Sequence, residues 1–207
     1  MSSVTEICNL ASSHARQDAS IVNLETDNST LARRLRKIYS PTLKRVTQSF
    51  PWWFSERPVA VSLLEVEAAD GFDYVYQVPG DVLEVSKVSI ENMSYTDINT
   101  GSDTTIFKVM TSSDGLTKQI HTTIEIDFAT CIRTVKTNNV LDPLFVEYFA
   151  YELARQLANI YKLEKTDREL LLKELMVAKS DAMISSTTQE DESFDTNNKY
   201  VEARGGA

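Results

Sequence analysis

The hydrophobic period of this chain changes twice, and those changes constrain its fold more than any single motif. Before residue 56 the apolar residues recur at helical spacing. From Arg57 they alternate, and after Asp142-Pro143 the helical spacing returns. Helices at both ends with strands between them predict an α+β chain. The expected architecture is an antiparallel helical bundle built from residues 1–56 and 141–183, with an inserted antiparallel β module over 57–140 and an extended C-terminal tail over 184–207.

In the first helical part, Val4, Ile7, Leu10 and Ala11 have the spacing of one helix face, and Ile21-Val-Asn-Leu24 reads as a short extended patch. Asn28 or Ser29 caps a long helix whose first apolar stripe is Leu31, Leu35 and Ile38. A second stripe, Tyr39, Leu43, Val46 and Phe50, follows. Pro41 lies between the stripes and predicts one kinked helix or two helices end to end. Arg33, Arg34, Arg36, Lys37, Lys44 and Arg45 cover the polar side, and no acid occurs between Asn28 and Ser55. Pro51 stops the helix before Trp52, Trp53 and Phe54. These three read as core at the start of the β region, because aromatics carry the largest apolar area to bury, with a partner hot spot as the other reading.

Val59–Val66, Phe72–Val78 and Asp81–Ile90 read as strands, with Asp70-Gly71 a turn and Pro79-Gly80 a pair suited to type II. Asn92–Asp103 reads as a loop. A hairpin is expected around Asp114-Gly115, its second arm running from Gln119 to Phe128 with Ile124, Ile126 and Phe128 on one face. Asp142-Pro143 then provides an N-cap acid and a first-turn proline. The helix over 142–163 carries Phe145, Phe149, Leu153, Leu157 and Ile160 on one stripe, and Ala150, Ala154 and Ala158 on another. Small residues in register let a second helix approach closely, either within the bundle or from a neighbouring subunit. Thr166-Asp-Arg-Glu169 reads as a capping box opening a helix to about Met183. The polar remainder cannot bury enough surface to fold alone, and its isolated Phe194, Tyr200 and Val201 suit docking into a partner.

The composition narrows the function. A net charge of −9 argues against non-specific DNA binding by the whole surface. No apolar run reaches the length of a membrane span, and Met1–Cys8 carries no basic region or apolar core of a secretory signal. Cys8 and Cys131 read as buried small hydrophobes in a reducing compartment, and no metal or cofactor motif is present. His14 is expected to be exposed in a polar turn, and His121 to lie on a surface or edge strand. Neither has a visible partner for general-base work. No nucleophile elbow, phosphate loop or dinucleotide fingerprint occurs. No catalytic constellation with specific spacing is therefore visible. Its carboxylates leave a two-carboxylate glycosidase, a carbohydrate or cell-wall hydrolase, open as an alternative. The basic helix face has two readings, a solvated surface or a contact with an acidic partner or nucleic acid. A DNA-binding module using Arg33 to Arg45 is a third hypothesis.

Five pieces in order carry a family resemblance. They are Ile7-Cys-Asn-Leu-Ala11, Ile21-Val-Asn-Leu-Glu25, Ala32-Arg33 with Tyr39 and Pro51-Trp-Trp-Phe54, Tyr74-Val-Tyr76-Gln-Val-Pro79-Gly-Asp81, and the Phe-, Leu- and Ala-rich helix after Asp142-Pro143. Together these resemble the head-to-tail adaptor proteins of short-tailed phages, also called tail tubular protein A. The family often has Leu-Gly where this chain has Ala15-Arg16, and a single tryptophan where it has Trp52-Trp53. The resemblance implies a non-enzymatic structural virion protein, made in the host cytoplasm and placed at the head–tail interface, with a phage-tail carbohydrate or cell-wall hydrolase using paired carboxylates as the alternative. It implies self-association into a ring, a dodecamer, between a portal protein and a tail nozzle protein. Genomic DNA would pass through that ring without sequence-specific binding. In such a ring, Arg33, Arg34 and Arg36 are expected to face an acidic neighbouring subunit or the portal, Ala150, Ala154 and Ala158 a neighbouring subunit, and Phe194 and Tyr200 a partner.

Overall fold

Ser3 opens the first helix with a reciprocal cap. Its hydroxyl accepts from the Glu6 N–H at 3.1 Å while Glu6 Oε2 accepts from the Ser3 N–H at 2.6 Å. The computed structural model describes residues 3–90, 93–96, 106–133 and 141–204. Helices and antiparallel sheets are both present, so the chain is mixed α+β. It divides into two units, residues 1–54 with 135–207 and residues 55–134.

The first unit contains α1 (Val4–His14), α2 (Thr30–Gln48), α3 (Pro143–Ile160) and α4 (Lys165–Arg204). Between α1 and α2 the chain is not extended: Leu24–Thr26 forms a turn. The Asn9 amide supplies what a strand partner would have, donating to the Ile21 carbonyl at 2.9 Å and accepting from its N–H at 2.8 Å. Ser29 caps α2, accepting from the Ala32 N–H at 3.2 Å. Pro41 sits inside α2, which continues through it as one helix. Asp142 caps α3 through Leu144 and Phe145.

Helix α4 begins at Lys165, so Thr166 lies inside its first turn and does not cap it. The expected extended tail is also corrected: α4 is helical through Arg204. The tail cannot nucleate a helix alone, but here it only propagates one already packed, and propagation is far less costly than nucleation. No proline or glycine interrupts the sequence between Lys165 and Arg204. Thr187 and Thr188 turn their hydroxyls back onto the Met183 and Ile184 carbonyls. Two apolar clusters fill the unit. One gathers Trp52, Phe54, Phe145, Phe149 and Leu153, and the other gathers Leu31, Leu35, Leu157 and Leu171.

The second unit contains two four-stranded antiparallel sheets. Strands β1 (Glu56–Ala60), β2 (Ser62–Leu63), β3 (Tyr74–Gln77), β4 (Val82–Ile90), β5 (Met93–Thr96), β6 (Phe107–Thr111), β7 (Lys118–Thr122) and β8 (Phe128–Arg133) pair in the orders β1-β8-β4-β5 and β2-β3-β7-β6. Two expected strands are each broken. Val59–Val66 divides at Val61, with β1 in one sheet and β2 in the other. Gln119–Phe128 divides at 123–127, where the Thr122 hydroxyl accepts from the Ile124 N–H and the chain crosses between sheets. Ile126 is buried and Phe128 exposed, so the alternation does not carry across the crossing. Side chains of both sheets share one core, including Val59, Tyr76, Val88, Phe107, Ile120 and Ala129.

The hairpin at Asp114-Gly115 forms as expected, with Gly115 at φ 73°. The Pro79-Gly80 pair does not make a type II turn. Gly80 stays out of the left-handed region and the turn closes from Val82 N–H to the Pro79 carbonyl at 3.1 Å. Met93–Thr96, expected as loop, pairs with β4, and the rest of that expected loop falls outside the described residues.

Candidate functional site

The cations of α2 divide by what already holds them. Arg36 donates to the Glu25 and Asp27 carbonyls at 2.8 and 2.7 Å, so it fastens the turn before its own helix. Arg34 lies with its guanidinium 4.7 Å from the Tyr161 ring centroid. Arg45 bonds Glu152 at 2.8 Å, and Arg155 holds the same carboxylate oxygen at 3.1 Å. Glu152 is buried, and its charge is tolerated because two guanidinium groups meet it. Arg33, Lys37 and Lys44 remain exposed, without an ion pair among the described residues. Of the expected contact residues Arg33, Arg34 and Arg36, only Arg33 has its charge uncommitted.

The alanine stripe of α3 is not a subunit contact. Ala150, Ala154 and Ala158 are fully buried inside this chain, against the two apolar clusters of the helical unit. The small side chains serve the close helix packing of one chain, and no surface remains there for a neighbour. Phe194 and Tyr200 fall within α4, but their side chains lie outside the described residues.

A groove of about 360 Å³ runs between α3 and α4 instead. Leu144 and Tyr151 of α3 face Val177 and Ala178 of α4, and Glu147, Glu174 and Asp181 stand among the lining residues. His14 of α1 meets two of these lining residues, Tyr151 and Glu147. It stacks on Tyr151 with ring centroids 3.9 Å apart and places Nε2 3.1 Å from Glu147 Oε1, outside hydrogen-bond alignment. His14 is therefore half-buried rather than exposed. Burial, then the charges of Glu174 and Glu147, hold the Tyr151 phenol above its ordinary range. None of the three carboxylates is buried, so the groove lacks the desolvated acid that a glycosidase requires.

The aromatic stop splits in two. Trp52 and Phe54 are buried with Phe145, and the Trp52 indole N–H donates to the Val46 carbonyl at 3.0 Å. Trp53 is 42% exposed. The three residues thus pack within the helical unit, and only Trp53 offers surface.

In the β unit, His121 is a buried residue of β7, an interior strand between β3 and β6, and not a surface or edge residue. Its Nδ1 accepts from the Ala69 N–H at 3.1 Å, so the neutral ring carries its proton on Nε2. Burial holds its pKa below the ordinary 6.5. The unfolded chain therefore takes up the proton first. The stability from neutral His121 is intact above about pH 6.5 and falls as pH drops below that value. Amide exchange at Ala69, corrected for its intrinsic pH dependence, is expected to accelerate below pH 6.5 in the native protein and not in His121→Asn. Equal profiles would refute the assignment.

Cys8 and Cys131 are buried free thiols, pushed up by burial to about 12 and about 11. Among the described residues no group of His, Cys, Asp or Glu could hold a metal ion, and no helix is long and apolar enough to cross a membrane. The exposed stripe on α4, Leu170, Val177 and Ile184, was legible at seven-residue spacing but is masked in the sequence by the stronger core stripe beside it. Compared with known proteins, the chain matches no family model and no curated sequence.

Proposed function

We propose that this chain is a structural head-to-tail adaptor of a phage virion. In this reading it is a helical bundle carrying an inserted β module, and it forms a ring between portal and tail nozzle through which DNA is ejected. It catalyses no reaction; its partners are the portal, the nozzle protein and copies of itself. The observation that carries the reading is the ordered series of five motifs from Ile7 to the Asp142-Pro143 helix. Backbone geometry adds support at one departure from the family. Arg16, where the family often has glycine, sits at φ 52°, a conformation glycine favours. The arginine offsets part of that strain by pairing with Asp167 at 2.7 Å.

Electron microscopy of the purified protein mixed with its portal protein tests the reading. A ring seated below the portal is expected. A portal that stays bare at excess adaptor would sink it. A monomer in isolation is compatible with the reading, because a portal can template ring closure.

A further inference from the structure

Helix α4 turns Leu171, Leu175, Ala178 and Ala182 into the core, yet Leu170, Val177 and Ile184 remain exposed on it. A helix that is apolar on two faces has a second surface to cover. Val177 of this second stripe lines the α3–α4 groove, where acids outnumber the one cation, Lys173, among the lining residues. On α4 the order is Glu174, Val177, Asp181: an acid, an apolar residue three positions on, and an acid four positions after that.

Helix α2 carries the opposite pattern. Lys37, Pro41 and Lys44 are all exposed, with steps of four and then three residues. Neither lysine has an ion pair among the described residues, and α2 has no acid of its own. Laid antiparallel, the two series coincide: Lys37 falls opposite Asp181, Pro41 opposite Val177 and Lys44 opposite Glu174. The steps of four and three residues are about 6 and 4.5 Å along either axis. The lysine stems can lie along the apolar floor while their ammonium groups reach the acids at its rim.

We infer that α2 of one copy docks antiparallel along the α3–α4 groove of a second copy, in this register. The inference rests on the self-association contained in the adaptor reading and names the surfaces that meet. The two patches lie on different elements, so an interface that pairs them once is head-to-tail and can repeat from copy to copy until a ring closes. The exposed charges fix register and partner, and the covered apolar stripe supplies the affinity.

Sedimentation of the full chain at low ionic strength tests it. The native protein is expected to self-associate, and added salt to weaken the association. Lys37→Glu with Lys44→Glu, and separately Glu174→Lys with Asp181→Lys, are each expected to weaken it by roughly tenfold or more, with circular dichroism and melting unchanged. A mixture of the two double variants, and the quadruple variant with both patches reversed, should associate again. A native protein that stays monomeric at every concentration overturns the inference. So do double variants that associate as the native protein does, or a quadruple variant that stays dissociated. The portal experiment separates this inference from the reading it rests on. If the Lys37→Glu, Lys44→Glu chain rings the portal as well as the native chain, this interface is wrong and the adaptor reading stands. If the charge swaps behave as expected and no ring forms, the adaptor reading falls and the interface stands.

Discussion

Trp52→Ala is expected to destabilise the helical unit by about 3–5 kcal/mol, the range for removing a large aromatic from a packed core. Trp52 is fully buried, with ring centroids 4.9 Å from Phe145 and 5.0 Å from Phe50. Truncation also strips the Val46 carbonyl of its indole donor. Trp53→Ala, one residue on, should cost under about 1 kcal/mol, because its ring is half in water. Its backbone N–H keeps its bond to the Ser186 hydroxyl at 3.0 Å. Urea unfolding followed by near-ultraviolet circular dichroism distinguishes the two. Similar losses for both would contradict the packing described.

Ala154→Leu is expected to cost about 1–3 kcal/mol by overpacking, in the dilute, unassembled chain. Ala154 is fully buried between α3 and its neighbours, so added methylenes have nowhere to go without moving a helix. The result discriminates between two readings of one sequence pattern. A stripe reserved for a neighbouring subunit would leave the isolated chain as stable as before and change only assembly. Chemical denaturation below the association range reads this directly. An unchanged midpoint would return the alanine stripe to the surface.

The helical elements were legible because their signals are local. Ser29, Asp142 and the stripes of α2 and α3 state helix starts and inward faces within a few residues. The β unit was legible strand by strand but not sheet by sheet. Val61 and the stretch 123–127 look like strand interior, and only the pairing of distant partners reveals that the chain changes sheets there. His121 was misplaced for the same reason: whether a strand is central or at an edge is a property of its neighbours, not its own residues. The short patch at Ile21 failed because its backbone partner is a side chain, Asn9, twelve residues away. On the surface, composition showed a run of cations on α2 but not that Arg34, Arg36 and Arg45 were already committed. That division depends on Tyr161, the Glu25–Asp27 turn and Glu152, which only the folded chain brings near.

One turn of α4 has a further consequence. The Ser186 hydroxyl accepts from Trp53 N–H, while the Ser185 hydroxyl and Gln189 amide donate to Asp142, each at 3.3 Å. Trp53 is where the chain leaves the helical unit and Asp142 is where α3 resumes. The same short piece of helix thus holds both ends of the excursion, whatever lies between them. Closing a longer excursion adds only about 0.6 kcal/mol for each doubling of its length. The intervening segment is therefore free to grow, shrink or be exchanged with little effect on the helices that frame it, and a lineage could vary it while keeping one frame.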